Sequence, residues 1–240
     1  MKLKKILKSF IPYSLLDAYW DYKLKKKKYF GRNKVDAKLL EYLNYENGFF
    51  VELGANDGLR ESNTYYFEKN LNWKGILIEP VSKNFEKCKK NRSYKNFFFN
   101  AACVSFSYTK KTVDLIFSDL MTVPINVESD NEVFPEKHAK LGEKYLEKNQ
   151  KIKKITAEAK TLNEILDKTN APKLIDFLSL DVEGSEIEVL KGVNHSLFRF
   201  KYILVECRNL KKMREFLEEI GYELILDLKN YDYLFKKKIN

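Results

Sequence analysis

The sequence predicts an α/β domain built on a mainly parallel sheet, with helices on both faces and a terminal antiparallel hairpin. Two observations carry this expectation. Short apolar runs alternate with polar-faced helical segments along most of the 240 residues, and several of those runs end in or beside an acid. Strands buried on both faces need near-continuous apolar stretches, and such sheets bind ligands outside the carboxyl ends of their strands. Glu52 with Asp57, then Glu79, Asp181 and Glu206, are therefore expected along one rim.

Taken in order, Lys2 to Lys28 reads as one or two basic helices broken near Pro12, with Leu3, Ile6, Leu7 and Phe10 on one face. Phe49 to Leu53 is a short buried strand that runs into the tight loop Gly54-Ala55-Asn56-Asp57-Gly58. Ser62 is the expected N-cap of a helix running toward Leu71. Lys74 to Glu79 is a second strand before Pro80, and Ser82 caps a polar helix to about Asn91. Phe97 to Val104 reads as one apolar strand, and Thr112 to Phe117 as a fourth that extends the same sheet edge.

From Ser118 to Lys154 the rhythm stops, apart from a helix near Lys137–Lys148. A long irregular segment in a compact domain points to function, here an acceptor-side insertion or lid over residues 118–154. Ile155 to Lys160 is a further strand, and Thr161 to Glu164 is a capping box before a short helix. Leu174 to Asp181 and Tyr202 to Cys207 are strands, each followed by a helix. Gly221 closes the second helix, and Tyr222–Leu228 with Tyr231–Lys237 make the hairpin.

Charge divides the chain unevenly. Residues 1–34 carry eleven Lys/Arg against Asp17 and Asp21, so +9 of the net +10 sits there. The expected organisation is a basic, partly amphipathic segment 1–34 followed by a nearly neutral domain 35–240. The basic segment has two readings. One is a peripheral arm on an anionic membrane surface through residues 1–28, and the other is a structural arm packed on the domain. Cys88, Cys103 and Cys207 are too few and too widely spaced for a disulfide framework or a structural zinc site. No cleavage site or long apolar run is evident, so the expected compartment is the cytoplasm, at the inner membrane surface if the arm binds lipid.

The first loop lacks Gly-x-Gly-x-x-Gly and carries acids, which suits a cationic ligand such as S-adenosylmethionine better than a pyrophosphate. Glu79 falls where a carboxylate accepts ribose hydroxyls. Asp181 and Glu206 end neighbouring strands and fit either of two roles: a general base that takes a proton from an acceptor hydroxyl, or ligands for Mg²⁺ or Mn²⁺. Alternatively, Asp181 serves as a cap for the helix after Ser185. His138, in the irregular segment, reads first as a surface imidazole, with a reach into the active site as the alternative; His195 reads as structural, and Phe97-Phe98-Phe99 as strand core.

Glu52-Leu53-Gly54-Ala55-Asn56-Asp57-Gly58, Glu79-Pro80, Asn100-Ala101-Ala102 and Asp181-Val182-Glu183-Gly184-Ser185-Glu186 with Val189-Leu190-Lys191-Gly192 resemble the FkbM-type methyltransferases, over about residues 47–227. That resemblance implies a class I, Rossmann-like methyltransferase fold with a mainly parallel seven-stranded sheet. It implies S-adenosylmethionine as methyl donor and O-methylation, commonly of a sugar hydroxyl in a surface glycan or a secondary metabolite. The family's donor positions carry over to Glu52, Gly54, Asn56, Asp57, Gly58, Glu79, Ala101 and Ala102, and its central acid to Asp181. Two further readings stay open: methylation of RNA or another polymer, and a non-catalytic module of the same fold. The neutral body, without interleaved aromatic and basic residues on a strand, makes nucleic acid an unexpected partner.

Overall fold

The computed structural model describes residues 19, 22–129, 134–147 and 150–239. The apolar stripe of Leu3, Ile6, Leu7 and Phe10 and the break at Pro12 lie outside them. In chain order, α1 (Val35–Leu43) leads into β1 (Phe49–Leu53), α2 (Tyr65–Leu71), β2 (Lys74–Ile78), α3 (Ser82–Asn91) and β3 (Phe97–Phe99). Next come β4 (Ala102–Val104), β5 (Thr112–Phe117), β6 (Val123–Ile125), α4 (Pro135–Leu141) and β7 (Lys153–Thr161). The chain closes with α5 (Leu162–Lys168), β8 (Leu174–Leu180), α6 (Glu186–Leu190), β9 (Arg199–Glu206), α7 (Leu210–Glu219), β10 (Tyr222–Lys229) and β11 (Asp232–Lys237).

Seven strands form the main sheet in the order β10-β11-β9-β8-β1-β2-β3. All neighbours are parallel except β11, which runs antiparallel to both β9 and β10. β1 is central because it is buried along its whole length, with side chains alternating between two cores. Phe49, Val51 and Leu53 pack with Leu162, Ile165 and Leu190 on one face, whereas Phe50 meets Leu39, Phe67 and Phe177 on the other. The order reverses direction beside β1, so β1, β2, β8 and β9 all point their carboxyl ends at one crevice.

The capping box at Thr161 forms as read, its side chain accepting from Glu164 N. Two other caps differ. Thr64, not Ser62, is the N-cap of α2, although Ser62 Oγ still accepts from Tyr65 N at 3.1 Å. Ser82 is the first residue of α3 rather than its cap, and its hydroxyl donates to Asn100 instead.

The stretch Phe97–Val104 is two strands. Asn100 Nδ2 donates to the carbonyls of Glu79 and Pro80, at 2.8 and 3.0 Å, and turns the chain out of the main sheet. β4 then pairs with β7 in a second, four-stranded sheet of order β4-β7-β5-β6. β5 and the 155–160 strand belong to that sheet rather than to the edge of the first. Period-2 patterning cannot distinguish these outcomes, because both faces of either sheet demand the same alternation. β3 is an edge strand rather than a core strand, with Phe97 exposed. The described parts of the segment 118–154 also hold more order than the sequence suggests: 3₁₀ turns at Asp119–Met121 and Gly142–Tyr145 flank β6 and α4.

Candidate functional site

The crevice at the strand ends is a single cleft walled by the β1 loop, Glu79, Ala101, Asp119, Asp181 and Glu206. Its floor begins at Gly54, which has φ +75°. A Cβ there would lie 2.0 Å from the Asp181 carbonyl oxygen, so glycine is what allows β1 and β8 to end side by side. A side chain at Gly54 would first disturb the packing of the two strand ends, before it met any ligand.

The loop is satisfied by itself and by β2. Gly54 N and Ala55 N both donate to Ile78 O at 3.1 Å, and Gly58 N donates to Ala55 O. Asn56 N donates to Glu79 Oε2 and Asp57 N to Asn56 Oδ1, each at 2.8 Å. Leu59 N and Arg60 N donate to Asp57 Oδ1. Asp57 is thus the clasp of the loop and does not line the cleft. Gly58 does not either; it packs against Arg92 and Cys88, where a Cβ would approach within 2.8 Å.

Glu52 borders the cleft, but its carboxylate is spent beneath the loop. It accepts from Ser62 Oγ, Asn63 N and Thr64 Oγ1, and pairs with Arg92 Nη1 at 2.9 Å. Arg92 is itself buried and reaches Glu68 Oε2 at 2.8 Å. The two acids around one guanidinium neutralise a charge that would otherwise be costly to bury. The geometry gives Glu52, Asp57 and Gly58 the work of shaping the loop.

Glu79 faces the cleft. Its two carboxylate oxygens each accept one backbone donor, Asn56 N at 2.8 Å and Val81 N at 2.9 Å, which leaves one lone pair on each for a ligand hydroxyl. Burial pushes its pKa up to about 7 despite those two hydrogen bonds. Ala101 and Ala102 line the wall beside it, and Asn56 Nδ2 reaches Asp119 Oδ1 at 3.4 Å.

Asp181 and Glu206 end β8 and β9 in neighbouring register and open on the same cleft. Neither carboxylate has a hydrogen-bond partner among the described residues. Burial and the charge of Glu206 hold the Asp181 pKa well above the usual carboxylate range. Burial, Glu183 and Asp232 push Glu206 up to about 7, against the pull of Arg32 and Arg208. The helix-capping duty that Asp181 was eligible for falls to Glu186, whose Oε1 accepts Val182 N and Gly184 N at 3.0 Å each. Among the described residues, no three His, Cys, Asp or Glu side chains are arranged to hold a metal, so the Mg²⁺ or Mn²⁺ reading of Asp181 and Glu206 gains no support from the geometry.

Several residues in or beside the cleft were not legible beforehand. Asp119 is buried in a left-handed conformation at φ +54° and pairs with Arg60 at 2.9 Å. Asp232 stands opposite Glu206 in the β11–β9 ladder. His138 is a correction: it is buried, and its Nε2 lies 2.6 Å from Glu183 Oε2, which ties α4 to the loop after β8. His195 is structural, its Nε2 2.9 Å from the Leu190 carbonyl.

The family model described as "Methyltransferase FkbM domain" matches residues 52–224. A curated relative, the methyltransferase sdnD of Sordaria araneosa, is 26% identical over 206 residues, covering 75% of this chain and 76% of its own. Similar solved structures include a methyltransferase from Geobacter sulfurreducens, 10% identical with TM-score 0.45, covering 100% of this chain and 96% of that one. Another is the precorrin-6y C5,15-methyltransferase of Geobacter metallireducens, 16% identical with TM-score 0.46, covering 88% and 93%.

Proposed function

Because the chain belongs to the FkbM methyltransferase family, and so is an S-adenosylmethionine-dependent methyltransferase of class I fold, we propose that it methylates a hydroxyl oxygen, with a sugar of a surface glycan or a secondary metabolite as acceptor. The observation that carries the reading is the Asp181–Glu206 pair, two carboxylates without donors among the described residues, raised in pKa, in the cleft that Gly54 also lines. S-adenosylmethionine supplies an electrophilic methyl group on a sulfonium. A hydroxyl acceptor is neutral, so it must give up its proton as the new C–O bond forms. In this reading Asp181 and Glu206 take that proton: Asp181 is held well above the usual carboxylate range and Glu206 is pushed up to about 7, which suits a base working at neutral pH.

On the donor side, the free lone pairs of Glu79 suit the two ribose hydroxyls, while Ala101 and Ala102 leave room for a flat base. Glu52, Asp57 and Gly58 support this site by holding the loop rather than by touching the donor. The segment 118–154 contributes Asp119, Met121, Lys144 and Tyr145 to the cleft, as an acceptor-side cover would. Residues 1–28 are proposed as a peripheral contact to an anionic membrane or as a structural arm. Among the described residues no helix is long and apolar enough to cross a membrane.

The test is methyl transfer from labelled donor into separated glycan, small-metabolite and RNA fractions. Label in the first or second supports the proposal, and label confined to RNA overturns it. If no fraction is labelled while S-adenosylhomocysteine binds, the non-catalytic reading stands.

A further inference from the structure

We propose that Arg32 and Glu61 clamp the amino-acid end of S-adenosylmethionine, Arg32 taking its carboxylate and Glu61 its ammonium, an inference that rests on the donor reading above. Arg32 lies outside the matched residues 52–224 and inside the basic segment 1–34. The first reason is what the β1 loop cannot do. All seven backbone N–H groups from Gly54 to Arg60 donate within the protein. A carboxylate over this loop therefore finds no free backbone donor there and needs a side-chain cation.

The second reason is which cation is available. Among those lining the cleft, Arg60 is held by Asp119 at 2.9 Å and Arg208 lies 3.7 Å from Glu183. Lys144 sits 4.8 Å from the Tyr145 ring centroid, beside the acceptor-side segment. Arg32 forms no ion pair among the described residues, yet it lines the cleft within the field of Glu206 and Glu61. Its planar fork matches a carboxylate in two parallel hydrogen bonds.

The third reason is that the fold builds this placement. Leu24 packs with Phe30, Leu59 and Tyr65, and Tyr29 stacks on Tyr66 at 5.2 Å. Phe30 is buried, meets Tyr65 edge-on at 4.6 Å and donates its N–H to Asp36 Oδ2 at 2.6 Å. Gly31 then pairs with Glu61 in a parallel bridge. A Cβ on Gly31 would lie 2.8 Å from Asn63 Oδ1 and 3.0 Å from Asp36 N, so a side chain there would crowd the crossing of the two segments. Asn33 and Lys34, at φ +50° and +58°, turn the chain sharply into α1. Arg32 is left between bridge and turn, next to the acid that its own neighbour is bonded to. A cation and an anion held side by side are what a zwitterionic amino-acid end requires.

The experiment measures S-adenosylhomocysteine and 5′-methylthioadenosine binding to the full chain by calorimetry, since the second ligand keeps the nucleoside and lacks the amino-acid end. Arg32→Met should weaken S-adenosylhomocysteine about ten- to a hundredfold, the range of a charge-assisted hydrogen bond, and leave methylthioadenosine within about twofold. Arg32→Lys should recover part of the loss, and Glu61→Gln should show a smaller loss confined to the same ligand. Unchanged S-adenosylhomocysteine affinity in Arg32→Met overturns the clamp. Equal loss of both ligands also overturns it, by making the segment a structural support. A wild-type chain that binds neither ligand overturns the donor reading itself.

Discussion

At the β1–β2 side of the crevice, each oxygen of Glu52 and Glu79 meets at least one donor. At the β8–β9 side, Asp181 and Glu206 meet none among the described residues and are raised by burial and by neighbouring acids, Asp181 by Glu206 and Glu206 by Glu183 and Asp232. The same residue type, in the same topological position, does opposite things. Donated hydrogen bonds fix a carboxylate in place and make it a scaffold or a cradle. Their lack leaves it without a fixed partner; burial raises Glu79 and Glu206 alike, each to about 7, so it is the donors that separate the two sides. The difference is one of surroundings, and it is why we propose binding for one side and chemistry for the other.

The sharpest way to break that contrast is Asp181→Asn. The amide is nearly isosteric but takes no proton, so turnover should fall about 10²- to 10⁴-fold, with S-adenosylhomocysteine affinity retained. Equal losses in turnover and affinity would return Asp181 to the binding side. On the scaffold side, Arg92→Met should leave Glu52 and Glu68 buried without their cation. Denaturant unfolding should then show a loss of about 3–5 kcal/mol, with any activity loss following from instability. A stable but inactive Arg92→Met would mean that this network touches the chemistry.

Glu79→Gln should be intermediate. It should weaken S-adenosylhomocysteine and methylthioadenosine alike by about 1.5–3 kcal/mol, because the ribose is common to both. A loss limited to the first ligand would move Glu79 away from the ribose.

The smallest effect concerns pH. Glu206 has its folded pKa raised from 4.5 to about 7, so the native state holds its proton longer than the unfolded chain. Stability is then lost as pH rises from about 4.5 to 7 and levels off above. Glu206→Gln should remove that slope and gain about 1 kcal/mol at pH 8 in urea melts, with little change at pH 4.5, the figure being reduced for partial solvent screening. The wild-type rate should rise through pH 7 as the acid pair ionises. A rate independent of pH between 6 and 8 would argue against proton transfer to this pair.

Much of the frame was readable because burial on both faces of a parallel sheet enforces apolar runs, and because Gly54, Glu79 and Asp181 follow such runs directly. The sequence by itself therefore determined the sheet, the rim and the acids on it. Composition marked off residues 1–34 by charge and left two roles open for them; it could not show that Phe30 is buried and that Arg32 lines the cleft. Local pattern could not show that β3 and β4 part at Asn100, that His138 is buried against Glu183, or that Asp119 turns inward to Arg60. Only the tertiary structure decided which strand-end acids are given donors and which are left without, because hydrogen-bond partners such as Ser62, Arg92 and Asn56 come from other segments. A carboxylate's chemistry is set by what folds around it, and that is not written at its own position in the chain.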